Sequence, residues 1–309
     1  MKKNNKIKII IILVLLLLTT GCTKVLTDGN KKAVKNEATG QTLTKNILCQ
    51  PTNKKTTEIY KKYKVKIEKL PECKDFKINS GKYEDLWSTI FVKPLAYILL
   101  VIGRLVKNYG LSVIIVSLII RLIAYPITKK TAMQSENMKK AQPEINRIQK
   151  KYEGKQDQES MIKQNQEIMA IYKKYNMNPM SGCIFAMLQL PIFIAFFEAL
   201  QRVPVIFEDK FLGLQLGTTP SVGVTSSMFY AYIILVLLIG ATTYFSFKMN
   251  GTGNMQDQSM KMMPYMMTGM ILLTGIFMPS GLGIYWVTSN LFTIVQNILV
   301  KRSKSNGKA

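Results

Sequence analysis

Arg121 is the residue of this sequence whose position demands most of its surroundings. It lies inside the apolar run from Val113 to Ala124, about ten residues from one end of the apolar stretch 111–128. At about 1.5 Å per helical residue this is roughly 15 Å in, near the midplane of a bilayer about 30 Å thick. An arginine there costs roughly 2.5–3.5 kcal/mol on insertion scales, and snorkelling from that depth is difficult. It therefore needs a water-filled cavity or a buried acid. The apolar stretches hold one acid, Glu198, near the far end of its own stretch, so a wet cavity is the better expectation. Trp286, Asn290, Thr293 and Asn297, at offsets 0, 4, 7 and 11, share one helix face, and Gln189 sits mid-stretch in another segment. Interhelical hydrogen bonds are the alternative use for these polar residues. The chain has no histidine, which removes the Ser-His pair, the histidine relay and the commonest metal ligand. No Gly-x4-Gly-Lys-Ser/Thr loop is present. The remaining chemistry is that of charge and solvation, without a cofactor, a metal or a catalytic residue.

The elements that must carry these residues are membrane helices. Five stretches come close to the 20 or so apolar residues a span needs: 111–128, 179–201, 228–247, 262–278 and 281–300. A sixth, 86–106, is interrupted by Lys93, Pro94 and Arg104. Leu95, Ile98, Leu99, Ile102 and Val106 recur in it at helical spacing, which suits a helix lying in the interface. Charge supports five spans. With the N-terminus outside, they leave 129–176 in the cytoplasm, where it carries 11 Lys+Arg against 6 Asp+Glu, together with the basic tail 303–309. The expected fold class is an all-α membrane protein with five transmembrane helices, an interfacial amphipathic helix and a cytoplasmic helical hairpin.

Of the 309 residues 48% are hydrophobic, yet 42 Lys+Arg face 18 Asp+Glu, a formal charge of +24. Such a surface suits anionic lipid or RNA phosphates, or else simply flanks the spans on their inner side. Residues 1–21 read as a signal peptide: a basic start, the apolar run Ile9 to Leu18, then small residues before Cys22. Cys22 is a candidate lipid attachment site of lipobox type, with Thr19 standing where leucine is usual; an uncleaved signal-anchor is the alternative. Residues 22–83 are polar and lysine-rich and read as a flexible, lipid-anchored extracytoplasmic arm. In it Cys49 and Cys73 either form a disulfide, which export permits, or remain free thiols.

In 129–176, Met138, Ala141, Ile145, Ile148 and Tyr152 step by three and four. Beyond a polar turn at 153–158, Met161, Gln164, Ile168, Ile171 and Tyr175 repeat the rhythm, describing an antiparallel hairpin. Pro143 is expected to kink or restart its first helix. Methionines crowd 249–270 and suit varied apolar partners or core filling.

Arg121 followed by Tyr125, Pro126 and Ile127, the charged hairpin, Leu188 to Ile192 and Gly283 to Asn290 together resemble the YidC/Oxa/Alb membrane protein insertases, in their Gram-positive-type lipoprotein form. The resemblance covers 84–302, the expected insertase domain. It implies insertion of nascent membrane proteins without ATP through a groove open to cytoplasm and lipid, with Arg121 attracting acidic passenger segments and Gln189, Trp286, Asn290 and Thr293 lining it. It also implies a bacterial plasma-membrane location, with the C-terminus cytoplasmic, and the ribosome, the Sec translocon and membrane lipids as partners. A transporter would show inverted repeats and a mid-membrane acid, and neither is apparent. A scaffold without a translocation role would leave Arg121 without purpose.

Overall fold

The computed structural model describes residues 23–155, 157–177, 181–249 and 258–306. Its helices are α1 (Lys54–Lys62), a π-helical turn (Ser88–Val92), α2 (Lys93–Leu105), α3 (Tyr109–Lys151), α4 (Gln158–Lys174), α5 (Ser181–Arg202) and the short α6 (Pro204–Glu208) and α7 (Pro220–Gly223). They end with α8 (Phe229–Met249), α9 (Gln258–Gly275) and α10 (Ser280–Asn306). One two-stranded sheet pairs β1 (Lys210–Phe211) with β2 (Leu214–Gln215), with Lys210 opposite Gln215. The protein is thus mostly helical. Among the described residues, Ser88–Leu105, Tyr109–Lys151 and Phe229–Met249 are long and apolar enough to cross a membrane. The described residues form two compact units: those within 23–117, 189–236 and 275–285, and those within 118–188, 237–274 and 286–306.

In the first unit the sequence expectation of a flexible arm fails. Residues 24–45 fold back twice: Leu26 N donates to Leu43 O, Val34 N to Leu26 O and Leu43 N to Val34 O, at 2.8–3.0 Å. This brings Leu26, Val34 and Leu43 together with Ile47, Tyr60 and Ile67 into a small core. Asn53 caps α1, its side chain accepting from Lys55 N. Cys49 and Cys73 form a disulfide across the module. The apolar residues are too widely spaced for helical or strand periodicity, and the fifteen exposed lysines of residues 23–83 give the arm the polar composition that suggested disorder.

The arm is also fastened to the end of α5 and to the loop after it. Leu48 N donates to Arg202 O at 2.8 Å, and Arg202 Nε donates to Asn46 O at 2.8 Å. Glu208 accepts from Thr52 N, Thr52 Oγ1 and Asn53 N at 3.0, 2.6 and 3.1 Å. Thr219 N donates to Thr39 O at 2.9 Å. Gly40 has φ +69°, and a Cβ there would lie 2.5 Å from Val222 Cγ2, so this turn needs glycine for both conformation and space.

Segment 74–82 lies along α2. At one end of the helix Arg104 Nη1 donates to Lys74 O. At the other, the buried Lys93 donates from Nζ to Ser80 O at 2.8 Å and Lys82 O at 3.4 Å. Eleven helical steps from Lys93 to Arg104 cover about 16 Å. Six residues from Lys74 to Ser80 reach at most about 20 Å, so the segment follows the helix with little slack. α2 buries Leu95, Ala96, Leu99 and Leu100, as the turn before it buries Val92, and exposes Ile98 and Leu105. Gly103 lets Tyr109 close against it, since a Cβ would sit 2.2 Å from the ring, and Ser112 Oγ donates back to Leu99 O at 2.7 Å.

In the second unit α3 runs unbroken through Pro126 and Pro143, so Pro143 does not restart it. α4 is capped by Asp157, whose carboxylate accepts from Ser160 N. Across the turn Lys174 and Tyr175 donate to Glu144, both at 2.7 Å, while Lys151 and Tyr152 donate to Glu167 at 2.6 and 2.8 Å. Ala141 and Ile145 are buried, Gln164, Ile168, Ile171 and Tyr175 half-buried, and Met161 exposed.

Candidate functional site

α3 presents two different sides. Leu118, Ile119, Leu122, Ile123 and Ile127 are exposed, Ile123 to 74%. Arg121, Thr128 and Ala132 are buried, Arg121 to 8% exposure. The spacing of seven and eleven residues puts the latter on one helical face. The arginine is thus turned away from the side that apolar residues surrender to lipid or solvent.

α10, in the same unit, carries a polar face. Trp286 Nε1 and Asn290 Nδ2 both donate to Thr243 Oγ1 of α8, at 2.9 and 3.1 Å. Together they use both lone pairs of that hydroxyl, leaving its own proton to be directed elsewhere. Thr293 is buried and donates to Ser289 O at 2.9 Å. One turn further, Gln296 accepts at Oε1 from Thr128 Oγ1 at 3.1 Å, and Asn297 is buried beside it. Thr242, Thr243 and Ser246 add three buried hydroxyl residues from α8. The hydroxyl of Ser289, also buried, has no hydrogen-bond partner among the described residues. A buried hydroxyl without a partner costs about 1–3 kcal/mol unless water satisfies it. Polar groups at this density in apolar helices mark a site built for hydration or for a polar guest.

Of the residues singled out in the sequence, Arg121, Trp286, Asn290 and Thr293 lie in the second unit, and Thr243 joins two of them. It missed the α8 contribution, although Thr242, Thr243 and Ser246 interrupt an otherwise apolar run and gave the signal. Gln189 lies in the other unit, where its Nε2 donates to Tyr285 OH at 2.8 Å and Tyr285 stacks on Phe196 with centroids 4.3 Å apart. Cys22 and the signal peptide 1–21 lie outside the described residues. Of the methionines, Met262, Met266 and Met270 are exposed on α9. No cluster of His, Cys, Asp and Glu able to hold a metal occurs among the described residues.

The sequence profile of the family described as "60Kd inner membrane protein" matches residues 101–307, which contain Arg121, Thr243 and the whole polar face of α10. The chain belongs to this YidC insertase family. The membrane protein insertase YidC of Oceanobacillus iheyensis is 34% identical over 220 residues, spanning 71% of this chain and 85% of that protein. MisCA, a membrane protein insertase of Bacillus subtilis, is 36% identical over 217 residues, 70% of this chain and 79% of its own. The YidC of Alkalihalophilus pseudofirmus is 37% identical over 220 residues, 70% and 82% respectively. The crystal structure of an active YidC insertase with its first transmembrane domain resolved shares the fold, with a TM-score of 0.52 at 24% identity over 79% of this chain and 52% of that one.

A second polar centre, in the first unit, was not foreseen. Arg202 is fully buried and donates to Asn46 O, to Ser88 Oγ at 2.9 Å and to Glu84 Oε1 at 2.6 Å. Glu198 Oε1 accepts from Trp87 Nε1 at 3.1 Å, and its other oxygen lies 3.8 Å from Arg202 Nη1. The i, i+4 spacing of Glu198 and Arg202 was legible in the sequence; the arm's part in the network was not.

Proposed function

We propose that this protein inserts nascent membrane proteins into the bacterial plasma membrane, and helps them fold, through a hydrophilic groove and without ATP hydrolysis. The observation that carries the reading is the inward-facing Arg121 in the unit where Thr243, Trp286, Asn290 and Thr293 form a polar wall within apolar helices. Hydration partway into the bilayer shortens the low-dielectric path of a passenger, and a fixed positive charge offsets desolvation of its carboxylates. Gln189 is a further passenger-contacting residue in this reading. Depletion of the protein is expected to strand single-span proteins with short exported tails in the cytoplasm, a defect a scaffold would not give.

The topology proposed is five spans, from α3, α5, α8, α9 and α10, with α2 in the interface. Length and composition alone would let α2 cross. The non-helical segment 74–82 beside it argues otherwise: exposed Lys77 and Asn79 and irregular backbone would enter hydrocarbon with the helix, where unpaired backbone groups cost several kcal/mol each. The arm is then extracytoplasmic, anchored by lipid on Cys22, and 303–309 cytoplasmic. The helices α4 and the distal α3 form a cytoplasmic docking hairpin for the ribosome and the Sec translocon, with the basic tail beside it.

A further inference from the structure

The segment 74–83, the stretch 84–92 that leads into α2, and α2 with Lys107 after it share a surface to which the insertion reading gives no ligand. Its exposed apolar side chains are Ile78, Tyr83, Leu86, Ile90, Phe91, Ile98 and Leu105. Its exposed cations are Lys74, Lys77, Lys82, Arg104 and Lys107. The acids in the same stretch are fewer and mostly engaged: Glu72 pairs with Lys74 at 2.8 Å, Glu84 accepts from Arg202 at 2.6 Å and Asn46 at 2.9 Å, Asp85 accepts from Ser88 N and Oγ at 2.6 and 3.0 Å, and Asp75 is exposed. Lys93, tied to the carbonyls of Ser80 and Lys82, and Arg104, tied to that of Lys74, hold the two elements together. The cations of the segment are thereby kept beside an apolar helix instead of being free to move through solvent.

We infer that this ledge is a docking surface for the phosphate headgroups of anionic phospholipids, with its apolar side chains in the acyl boundary and its lysines on the phosphates. The inference rests on the reading that α2 lies in the interface. Charge complementarity commits it to lipid: apolar and aromatic residues beside cations match the depth profile of a bilayer boundary, where each lysine or arginine near an anionic surface gains about fivefold in binding. A soluble polyanion would leave the exposed Ile90, Phe91 and Leu105 in water.

The test is hydrogen exchange of amides 76–83 in the full-length protein in nanodiscs. Exchange is expected to slow several-fold in phosphatidylglycerol-rich discs relative to phosphatidylcholine discs. The triple variant Lys77→Gln, Lys82→Gln, Lys107→Gln should abolish the difference, and high salt should reduce it. Inorganic phosphate added to phosphatidylcholine discs should not reproduce the protection; if it does, the site is an anion site and the lipid assignment falls. Equal exchange in both lipids overturns the inference. A separate arm labels Leu86→Cys and Lys107→Cys with an impermeant thiol reagent. Both reacting from outside keeps α2 in the interface, so a lipid-independent result then defeats the headgroup site alone. Lys107→Cys reacting only from the cytoplasmic side removes the interfacial reading and the headgroup site with it.

Discussion

Arg202 and Glu84, separated by 118 positions, form a 2.6 Å ion pair in which the arginine is fully buried and the carboxylate 24% exposed. The pair joins the end of α5 to the segment leading into α2. Removing one partner of a buried pair costs about 3–5 kcal/mol, because the other is left desolvated. Arg202→Met should therefore expose the arm to limited proteolysis and lower the thermal midpoint of the first unit. Glu84→Gln, which keeps a hydrogen-bond acceptor at a partly solvated site, should do so less. Equal protease resistance of Arg202→Met and the parent would rule out the network as a clamp.

The disulfide closes a loop that contains α1. In the chain-entropy account, a loop of this size contributes about 3.5 kcal/mol. Cys49→Ser with Cys73→Ser should loosen the module 23–83, read as faster amide exchange at Leu26, Val34 and Leu43, while the second unit is unchanged. A uniform change across both units would contradict this local role.

Hydrogen bonds from Lys174 and then Tyr175 hold the Glu144 carboxyl below its ordinary range, and Lys151 and Tyr152 do the same for Glu167. The folded pKa values are depressed, so the stabilisation is present above the unfolded value of about 4.3 and is lost as pH falls through and below it. Pairing of α3 with α4 should thus be constant from pH 8 to about 5 and weaken below. The exposure of these groups keeps the effect small. Exchange rates in 141–171 measured against pH provide the check; loosening that began near pH 7 would point elsewhere.

Thr243 accepts from both Trp286 and Asn290. Thr243→Val keeps the shape and removes the shared acceptor, so insertion should fall more than in Asn290→Ala, which removes one donor only. Each orphaned buried donor costs about 1–3 kcal/mol. Matching activities of Thr243→Val and the parent would show that neither donor depends on that hydroxyl.

If Arg121 works through charge, Arg121→Lys should keep much of the insertion activity. Arg121→Ala should lose it mainly for passengers with acidic exported tails, and neutralising those tails should remove the dependence. The coupling is expected to be modest, about 0–1 kcal/mol, because a wet groove screens charge. Equal losses for acidic and neutral tails would rule out electrostatic attraction as the role of Arg121.

Much of the helical body could be read from sequence because membrane helices are long and their polar residues conspicuous. Arg121 and the residues 286–297 stand out against apolar neighbours, and period 3.6 puts Trp286, Asn290, Thr293 and Asn297 on one side of their own helix. The arm could not be read this way. Leu26, Val34 and Leu43 meet through turns, and its docking partners, Arg202 and Glu208, lie more than 150 positions from Asn46 and Thr52. Composition reports neither. Its lysines, counted as evidence for disorder, stand on the surface of a small folded core.

The chain is made from its N-terminus, and this gives the Arg202 network an order in time. Ser88 precedes Arg202 by 114 positions and Asn46 precedes it by 156. At 5–20 residues per second, the interval from Ser88 to Arg202 is roughly 6–23 s. Throughout it the arm has its core and its cysteines but lacks the guanidinium that Glu84, Ser88 and the carbonyl of Asn46 close around. This early-made module therefore cannot close until the end of α5 has been made, while α8, α9 and α10 are still to come.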